Sequence, residues 1–353
     1  MAEQTDFFFG IEDLHAQLSK LGDPLEILTK SIPWNSFRPA LALARLRADR
    51  KGNAGRKPYD DILMFKVLVL QALYNLSDDQ TEYQIKDRLS FRRFLNVGMS
   101  ENVPDAKTIW LFREHLTKRN LVEKLFAKFD GYLNKEGFAA RGGQLIDASF
   151  VEVPKQRNKK DENEQIKAGE TPKEWEEDKD KAKLRQKDVE ARWTTKNNQS
   201  YFDYKNHINV DRDCKLIRHY EVTDASVHDS QEFRGLVDAR NTNADIFADS
   251  AYRSEQIETE LKEAGYRSKI QHRAYRDTPL TKLQERSNRC RSKVRARVEH
   301  VFGYQANSMK AGLIQTIGIA RAKAKIGMTN LVYNMQRLMQ LRRIYRINPC
   351  QMA

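Results

Sequence analysis

The chain has little cysteine: three in 353 residues, Cys214, Cys290 and Cys350. An odd number of widely spaced thiols excludes a disulfide framework, and without a CxxC pair there is no zinc module. Both absences fit a reducing cytoplasm. Cys214, His207, His219 and His228 match no compact zinc-ligand spacing either. Long hydrophobic runs are missing. The most apolar stretch, Ile62 to Leu76, is fifteen residues long and broken by Lys66 and Gln71, short of the roughly 20 residues a bilayer-spanning helix needs. The opening residues MAEQTDFFFG are acidic and lack an apolar segment flanked by basic residues, so no secretory leader is expected. There are no internal repeats. Gly52 to Lys57 (GNAGRK) has neither P-loop spacing nor a preceding strand, which disfavours a nucleotide-driven enzyme. Glu152 to Lys155 has the wrong spacing for an acid-x-Lys nuclease pair, and Pro154 interrupts it.

What the chain does have is charge. Hydrophobic residues make up 40% and charged residues 31%, enough apolar material for a core and too much for wholesale disorder. At roughly 150 residues per domain, the length suggests two or three domains. The net charge is +13, with a pI near 9.5, which points to a polyanionic partner. The charge is uneven. Residues 1–146 hold 22 basic and 19 acidic side chains, and 155–198 hold 13 and 11. Residues 147–154 with 199–264 hold 8 and 16, whereas 265–353 hold 19 and 3. A carboxylate-rich middle thus precedes a strongly basic C-terminal quarter. Acidic groups that hold cations and basic groups that hold phosphates produce such a pattern. So does a basic helical tail on an unrelated enzyme.

Residues 1–140 read as helical. Ile11, Leu14, Leu18 and Leu21 recur at helical spacing before Gly22. Pro58 and Asp60 open an apolar helix to about Leu76, Ser77 and Asp78 cap another through Leu89, and Pro104 and Asp105 start a third with Ile109, Phe112 and Leu116. Residues 78–95 are a candidate helix-turn-helix. Arg88, Arg92 and Arg93 in it suit a solvated face better than phosphate contact. The period changes near residue 144. Gln144–Val153 reads as a strand. A polar insert at 155–198, rich in Lys and Glu, reads as loop or loose helix. Strands return at Tyr201–Val210 and Lys215–Val222, joined as a hairpin at Asp211–Asp213. A helix follows around Ser230–Arg240, then a strand Asp245–Ala248, a helix over 254–264 and a strand near 266–271. From about 280 the pattern is helical, ending in a helix over 319–345. The order is an α/β arrangement of the ribonuclease-H-like kind, antiparallel strands first and parallel crossovers after, with an insert following the first strand and an all-α domain before it. The expected domains are 1–140, 141–345 and a tail at 346–353.

Three acids stand out. Asp147 lies inside the first strand between Ile146 and Ala148, where a charge is costly unless paired or bound to a cation. Asp249 ends the Ile246–Ala248 strand, where open α/β sheets place their ligands. Glu299 lies in a basic helix whose only other acid is Glu285. Each has a plainer role: a strand aspartate bonding backbone or an arginine, a strand-end aspartate capping the next helix, a glutamate pairing with Arg295 four residues back. Together, two aspartates and a glutamate supply the hard oxygens that Mg²⁺ prefers. Two such ions roughly 3.5–4 Å apart can activate a water or a 3′-hydroxyl and stabilise the leaving oxygen.

The segments LIDASFVEV, YKNHINVD, VHDSQEF, IFADSAYRS and RVEHVFG, in that order, resemble the bacterial DDE transposases of the insertion-sequence-5 family. GRKPYDDILMFKVLVLQALYNLSD resembles that family's helical leader and ARAKAKIGMTNLVYNMQRLMQL its closing helix, so the likeness covers about 55–345. It implies a ribonuclease-H-like catalytic domain and makes Asp147, Asp249 and Glu299 the catalytic, metal-holding acids. The wider superfamily sets a Tyr, an Arg and a Lys around its last acid. Arg295 matches the Arg, but the Tyr and Lys positions hold Ser292 and Ala306, with Lys310 one turn later. Arg291, Lys293, Arg295 and Lys310 are then candidate DNA-phosphate contacts. His228 and Asp229 are candidates for a supporting role behind the acids, although Asp229 equally suits a helix cap. The resemblance implies two Mg²⁺ ions, with Mn²⁺ able to substitute. It implies double-stranded DNA partners, meaning terminal inverted repeats and target DNA, and a homodimer or larger synaptic assembly in the bacterial cytoplasm at the nucleoid, with no membrane. Two other readings share these residues: an inactive transposase-derived DNA-binding protein, and a ribonuclease-H-like nuclease without strand transfer.

Overall fold

The computed structural model describes residues 2–45, 57–175, 181–196, 199–275 and 278–345. The chain forms two compact units. Met1–Lys128 joins Met335–Asn348 in the first, and Phe129–Asn334 belongs to the second. The 346–353 tail lies outside the described residues. Among the described residues no helix is long and apolar enough to cross a membrane.

The first unit is helical: α1 (Ala2–Lys20), α2 (Pro24–Ser31), α3 (Arg38–Ala42), α4 (Asp61–Tyr74), α5 (Asp78–Asp87), α6 (Leu89–Leu95) and α7 (Ala106–Lys118). The Asp60 carboxylate caps α4 by accepting the Ile62 and Leu63 N–H groups, and Asn75 ends the helix in the left-handed region at φ 49°. Nearly every residue of α4 is buried, as expected of a helix apolar on all sides. Lys66, the charge within it, donates to the Phe94 carbonyl and lies over the Trp34 and Phe94 rings. Burial holds its ammonium below the usual lysine range. The helix-turn-helix candidate at 78–95 is α5 and α6, with only Arg88 between them. The solvated face expected for its arginines forms only at Arg88, which is exposed. Arg92 is buried and donates to the Met99 and Glu101 carbonyls, and Arg93 bonds Ser19 and Glu26. Arg88 lies over the Tyr74 and Phe91 rings.

The second unit is a mixed α/β unit around a six-stranded sheet. α8 (Leu121–Lys135), which like the last helix is divided between the two units, leads into β1 (Gln144–Glu152). α9 (Lys160–Lys167), α10 (Lys181–Gln186) and β2 (Arg192–Lys196) follow, then β3 (Gln199–Asp211), β4 (Ile217–Asp224), α11 (Phe233–Leu236), β5 (Asp245–Phe247), α12 (Glu255–Glu263), β6 (Arg267–Ser268), α13 (Lys282–Asn307) and α14 (Ile319–Tyr345). The sheet runs β2-β3-β1-β5-β6, with β4 also on β3. β1, β2 and β4 are antiparallel to β3, while β5 is parallel to both β1 and β6. β2 and β4 share the edge of β3 that faces away from β1: β2 covers Gln199–Asp203 and β4 covers Tyr204–Val210.

Three expectations need correcting. The helix around 230–240 shrinks to four residues of α11, preceded by a 3₁₀ turn at Asp229–Gln231, because the backbone at Val237 is already extended. The strand near 266–271 is regular only at Arg267–Ser268, although the Lys269 and Gln271 N–H groups still donate to the Ile246 and Ala248 carbonyls. The 155–198 insert contains a true strand, β2, and its own small core in which Trp175 is fully buried and bonded to Glu162.

Alternation along β1 divides the core. Ile146 joins Ile246, Ala248, Phe233, Leu236, Tyr252, Ile257 and Leu261 on one face. On the other, Val151, Tyr204 and Val222 pack with Ala322 and Ile326 of α14. Buried amides lock that second face. Asn206 and Asn330 exchange hydrogen bonds at 3.1 Å, Gln305 of α13 donates to Asn330, and Asn334 bonds both backbone groups of Ile217. These bonds fix α13 and α14 against β3. Gly143 lets β1 start close to β5. Its φ is +94°, and a Cβ there would come within 3.0 Å of the Asp245 carbonyl.

Candidate active site

The candidate acids lie within β1, just after β5 and on one face of α13. β1 is buried through Ile146, half-buried over Asp147–Phe150 and buried again at Val151. Asp147 stands opposite Ile208 of β3. Parallel pairing sets Leu145 against Phe247, the last residue of β5. β5 stops before reaching Asp249. There the chain turns, and the Asp249 carboxylate accepts the Ala251 N–H at 2.7 Å, capping a 3₁₀ turn at Ser250–Tyr252. Asp249 thus has the expected capping role at a strand end.

α13 packs on β1 and β5. It begins with a capping box in which Thr281 and Gln284 exchange side chain and backbone bonds. Arg295 and Glu299, four residues apart, share a face. The Arg295 guanidinium donates to Asp147 Oδ2 at 2.6 Å and to Glu299 Oε1 at 3.1 Å. One cation therefore ties the strand acid to the helix acid. The second Asp147 oxygen accepts the Ala148 N–H. Exposure differs sharply: the side chains of Asp147 and Glu299 are 14% and 57% exposed. The buried arm is a charge-assisted hydrogen bond, whereas an exposed i,i+4 arm contributes only about 0.3–0.5 kcal/mol. Arg295 Nε is buried and has no hydrogen-bond partner.

The other candidates separate. Arg291 is partly buried and donates to the Ile270 carbonyl, which also accepts from Arg253. Burial first, and then the Arg253 charge, lower its guanidinium pKa. Lys293 and Lys310 are exposed, and Lys310 adopts a left-handed φ of 51° just after α13. Ser292, at the family's Tyr position, accepts a bond from Gln271. His228, not Asp229 or Ser230, caps the turn after β4: its Nδ1 accepts the Ser230 N–H. Asp229 is instead paired with Lys205 of β3 at 2.9 Å. His207 is fully buried against Thr223, and burial pushes its imidazole down to about 4. Sequence reasoning missed Lys205 and Tyr252. A lysine inside a buried strand was the available signal for the first. Nothing in composition marked the second.

Among the described residues no three His, Cys, Asp or Glu side chains are gathered closely enough to hold a metal ion. The donor set nevertheless suits a hard divalent cation. Every candidate ligand is a carboxylate, and Asp147 and Glu299 already converge on a positive group, the Arg295 guanidinium.

Carboxylates within β1, just after the parallel strand β5 and on a basic helix suit metal-assisted phosphodiester chemistry. The comparisons name the class further. Residues 12–115 match a family described as Transposase domain (DUF772), and residues 139–335 match the Transposase DDE domain. The second match covers more than half of the chain, which belongs to the DDE transposase family. It is a metal-dependent enzyme of DNA cleavage and transposition, with DNA as its substrate. No solved structure matches the chain.

Proposed function

We propose that the protein is the transposase of an insertion sequence of the insertion-sequence-5 type, built on a ribonuclease-H-like domain. It binds the terminal inverted repeats, hydrolyses phosphodiester bonds at the element ends, and joins the exposed 3′-hydroxyls to target DNA. Asp147, Asp249 and Glu299 are the catalytic acids and would hold two Mg²⁺ ions, with Mn²⁺ as a substitute. A divalent cation bound by them favours ionisation of a water or 3′-hydroxyl and offsets charge on the leaving oxygen. The chain's own contribution would be placement: β1 and the turn after β5 carry two of the carboxylates, and α13 carries the third. Arg295 holds Asp147 and Glu299 together before DNA arrives. Lys293 and Lys310 add exposed positive charge near α13, and Arg291 braces the end of β6 from the same helix. Work on two element ends calls for a homodimer or larger synaptic assembly at the bacterial nucleoid.

The observation that carries this reading is Arg295 gripping Asp147 and Glu299 together. The test is end cleavage by Asp147→Asn and Asp249→Asn in Mg²⁺, with end binding measured in parallel. Cleavage falls to background while binding is kept. Surviving cleavage in either variant refutes the assignment. Cleavage without joining by the unaltered protein would favour a nuclease, and binding without cleavage an inactive derivative.

A further inference from the structure

The turn that Asp249 caps carries Tyr252 three residues on. The Tyr252 ring is fully buried against Phe233, at 5.7 Å between centroids, within the cluster of Ile146, Ile246 and Ala248. Its hydroxyl is buried too and has no hydrogen-bond partner. Native cores rarely keep such a group, because phenylalanine fills the same space without an unmet donor. The hydroxyl therefore needs a reason.

Its surroundings supply one. Burial above all, and then the nearby charges of Asp147, Asp229 and Asp249, raise its ionisation well above the ordinary phenol range, with Arg295 acting the other way. The group keeps its proton. It is a permanent donor, close to carboxylates that it does not touch. Asp147 is bonded to Arg295 and the Ala148 N–H, Asp249 to the Ala251 N–H, and Asp229 to Lys205.

We propose that Tyr252 is a positioning residue of the acidic site, whose hydroxyl gains a carboxylate oxygen of Asp147 or Asp249 as acceptor when a divalent cation draws those acids together. This rests on the catalytic reading above. The hydroxyl then adds nothing to the metal-free protein and favours the metal-bound one.

The test compares full-length Tyr252→Phe with Tyr333→Phe, a control whose hydroxyl donates to the Lys215 carbonyl at 2.8 Å. In EDTA, Tyr252→Phe unfolds at or above the unaltered midpoint, and Tyr333→Phe below it. Mn²⁺ binding to the DNA-free protein, followed by the resonance of free Mn²⁺, weakens about tenfold in Tyr252→Phe, the scale of one hydrogen bond to a charged group. It is unchanged in Tyr333→Phe. The Mn²⁺ needed for half-maximal end cleavage rises by the same factor. Unaltered Mn²⁺ binding by Tyr252→Phe, or a loss of midpoint matching the control's, overturns the proposal. Asp147→Asn in the same assays separates the two levels. If it still cleaves, the catalytic assignment falls. If it is dead while Tyr252→Phe binds Mn²⁺ normally, only the role of Tyr252 falls.

Discussion

Replacing Arg295 by Gln asks whether the guanidinium is the counter-charge of Asp147. The bond to Asp147 Oδ2 is 2.6 Å long between side chains that are 22% and 14% exposed. A charge-assisted bond in that setting is worth about 1.5–3 kcal/mol. The arm to Glu299 ends on a carboxylate that is 57% exposed, so it adds only about 0.3–0.5 kcal/mol. The buried Nε–H has no partner, and its removal returns part of the loss. The net expectation is a destabilisation of about 2 kcal/mol, nearly all of it from the Asp147 arm. Urea unfolding in EDTA measures it. The same titration in Mg²⁺ should show a smaller deficit, because a bound cation replaces the guanidinium beside Asp147. Glu299→Gln should barely change stability, and its coupling to Arg295→Gln in a double-mutant cycle should stay within a few tenths of a kcal/mol. A deficit under about 0.5 kcal/mol in EDTA, or one that Mg²⁺ leaves untouched, would refute the reasoning.

Two further predictions concern charges away from the acids. Asp130 and Arg218 are buried together, with Arg240 also on Asp130 and the Phe138 carbonyl on Arg218. Asp130→Asn strands buried guanidinium charge and should cost about 3–5 kcal/mol in chemical denaturation; a loss below 1 kcal/mol would show that water reaches the pair. Asp203 has the opposite problem. Burial, and then the Glu152 charge across the β1–β3 pair, raise its carboxyl to about 6, and one oxygen has no partner. Its folded pKa exceeds the unfolded value near 3.9, so the folded state binds the extra proton and this group's contribution declines as pH rises from about 4 to 6. Asp203→Asn should therefore be more stable than the unaltered protein by about 2 kcal/mol at pH 7.5 and nearly equal to it at pH 4. A gain that does not depend on pH would refute the titration argument.

The elements that sequence reads well are those whose signal is local. The α14 helix runs over 319–345 because its apolar spacing is regular, and the β3–β4 hairpin forms where β-branched runs flank Asp211–Asp213. Asp147 and Asp249 were legible because charge beside Ile146 and Ala248 violates the apolar pattern. What was not legible depends on partners far along the chain. β2 hides in a polar, Lys- and Glu-rich insert, and only its pairing with Gln199–Asp203 makes Thr194 and Thr195 a strand. Positive charge is visible in sequence, but its destination is not. Arg291 ends on the Ile270 carbonyl and Arg93 on Ser19 and Glu26, so neither is the free surface charge that composition suggested.

The three acids are not held alike, and the difference bears on how the site works. Asp147 is fixed by the backbone of a strand paired there with β3, and Asp249 by the turn that its own carboxylate caps. Glu299 has neither support. It is an exposed side chain with several rotatable bonds on a helix, held toward the sheet by Arg295. A carboxylate held that way gives up its position readily, because the exposed ion pair is weak and screened by salt. Glu299 is therefore the part most able to move, and its hold depends on Arg295. If the Arg295 guanidinium turns to a DNA phosphate, Glu299 and Asp147 lose their shared cation together and both become free for metal. Substrate arrival and metal binding would then be coupled through one side chain, and Arg295→Lys, which keeps the charge but cannot span both acids, should uncouple them.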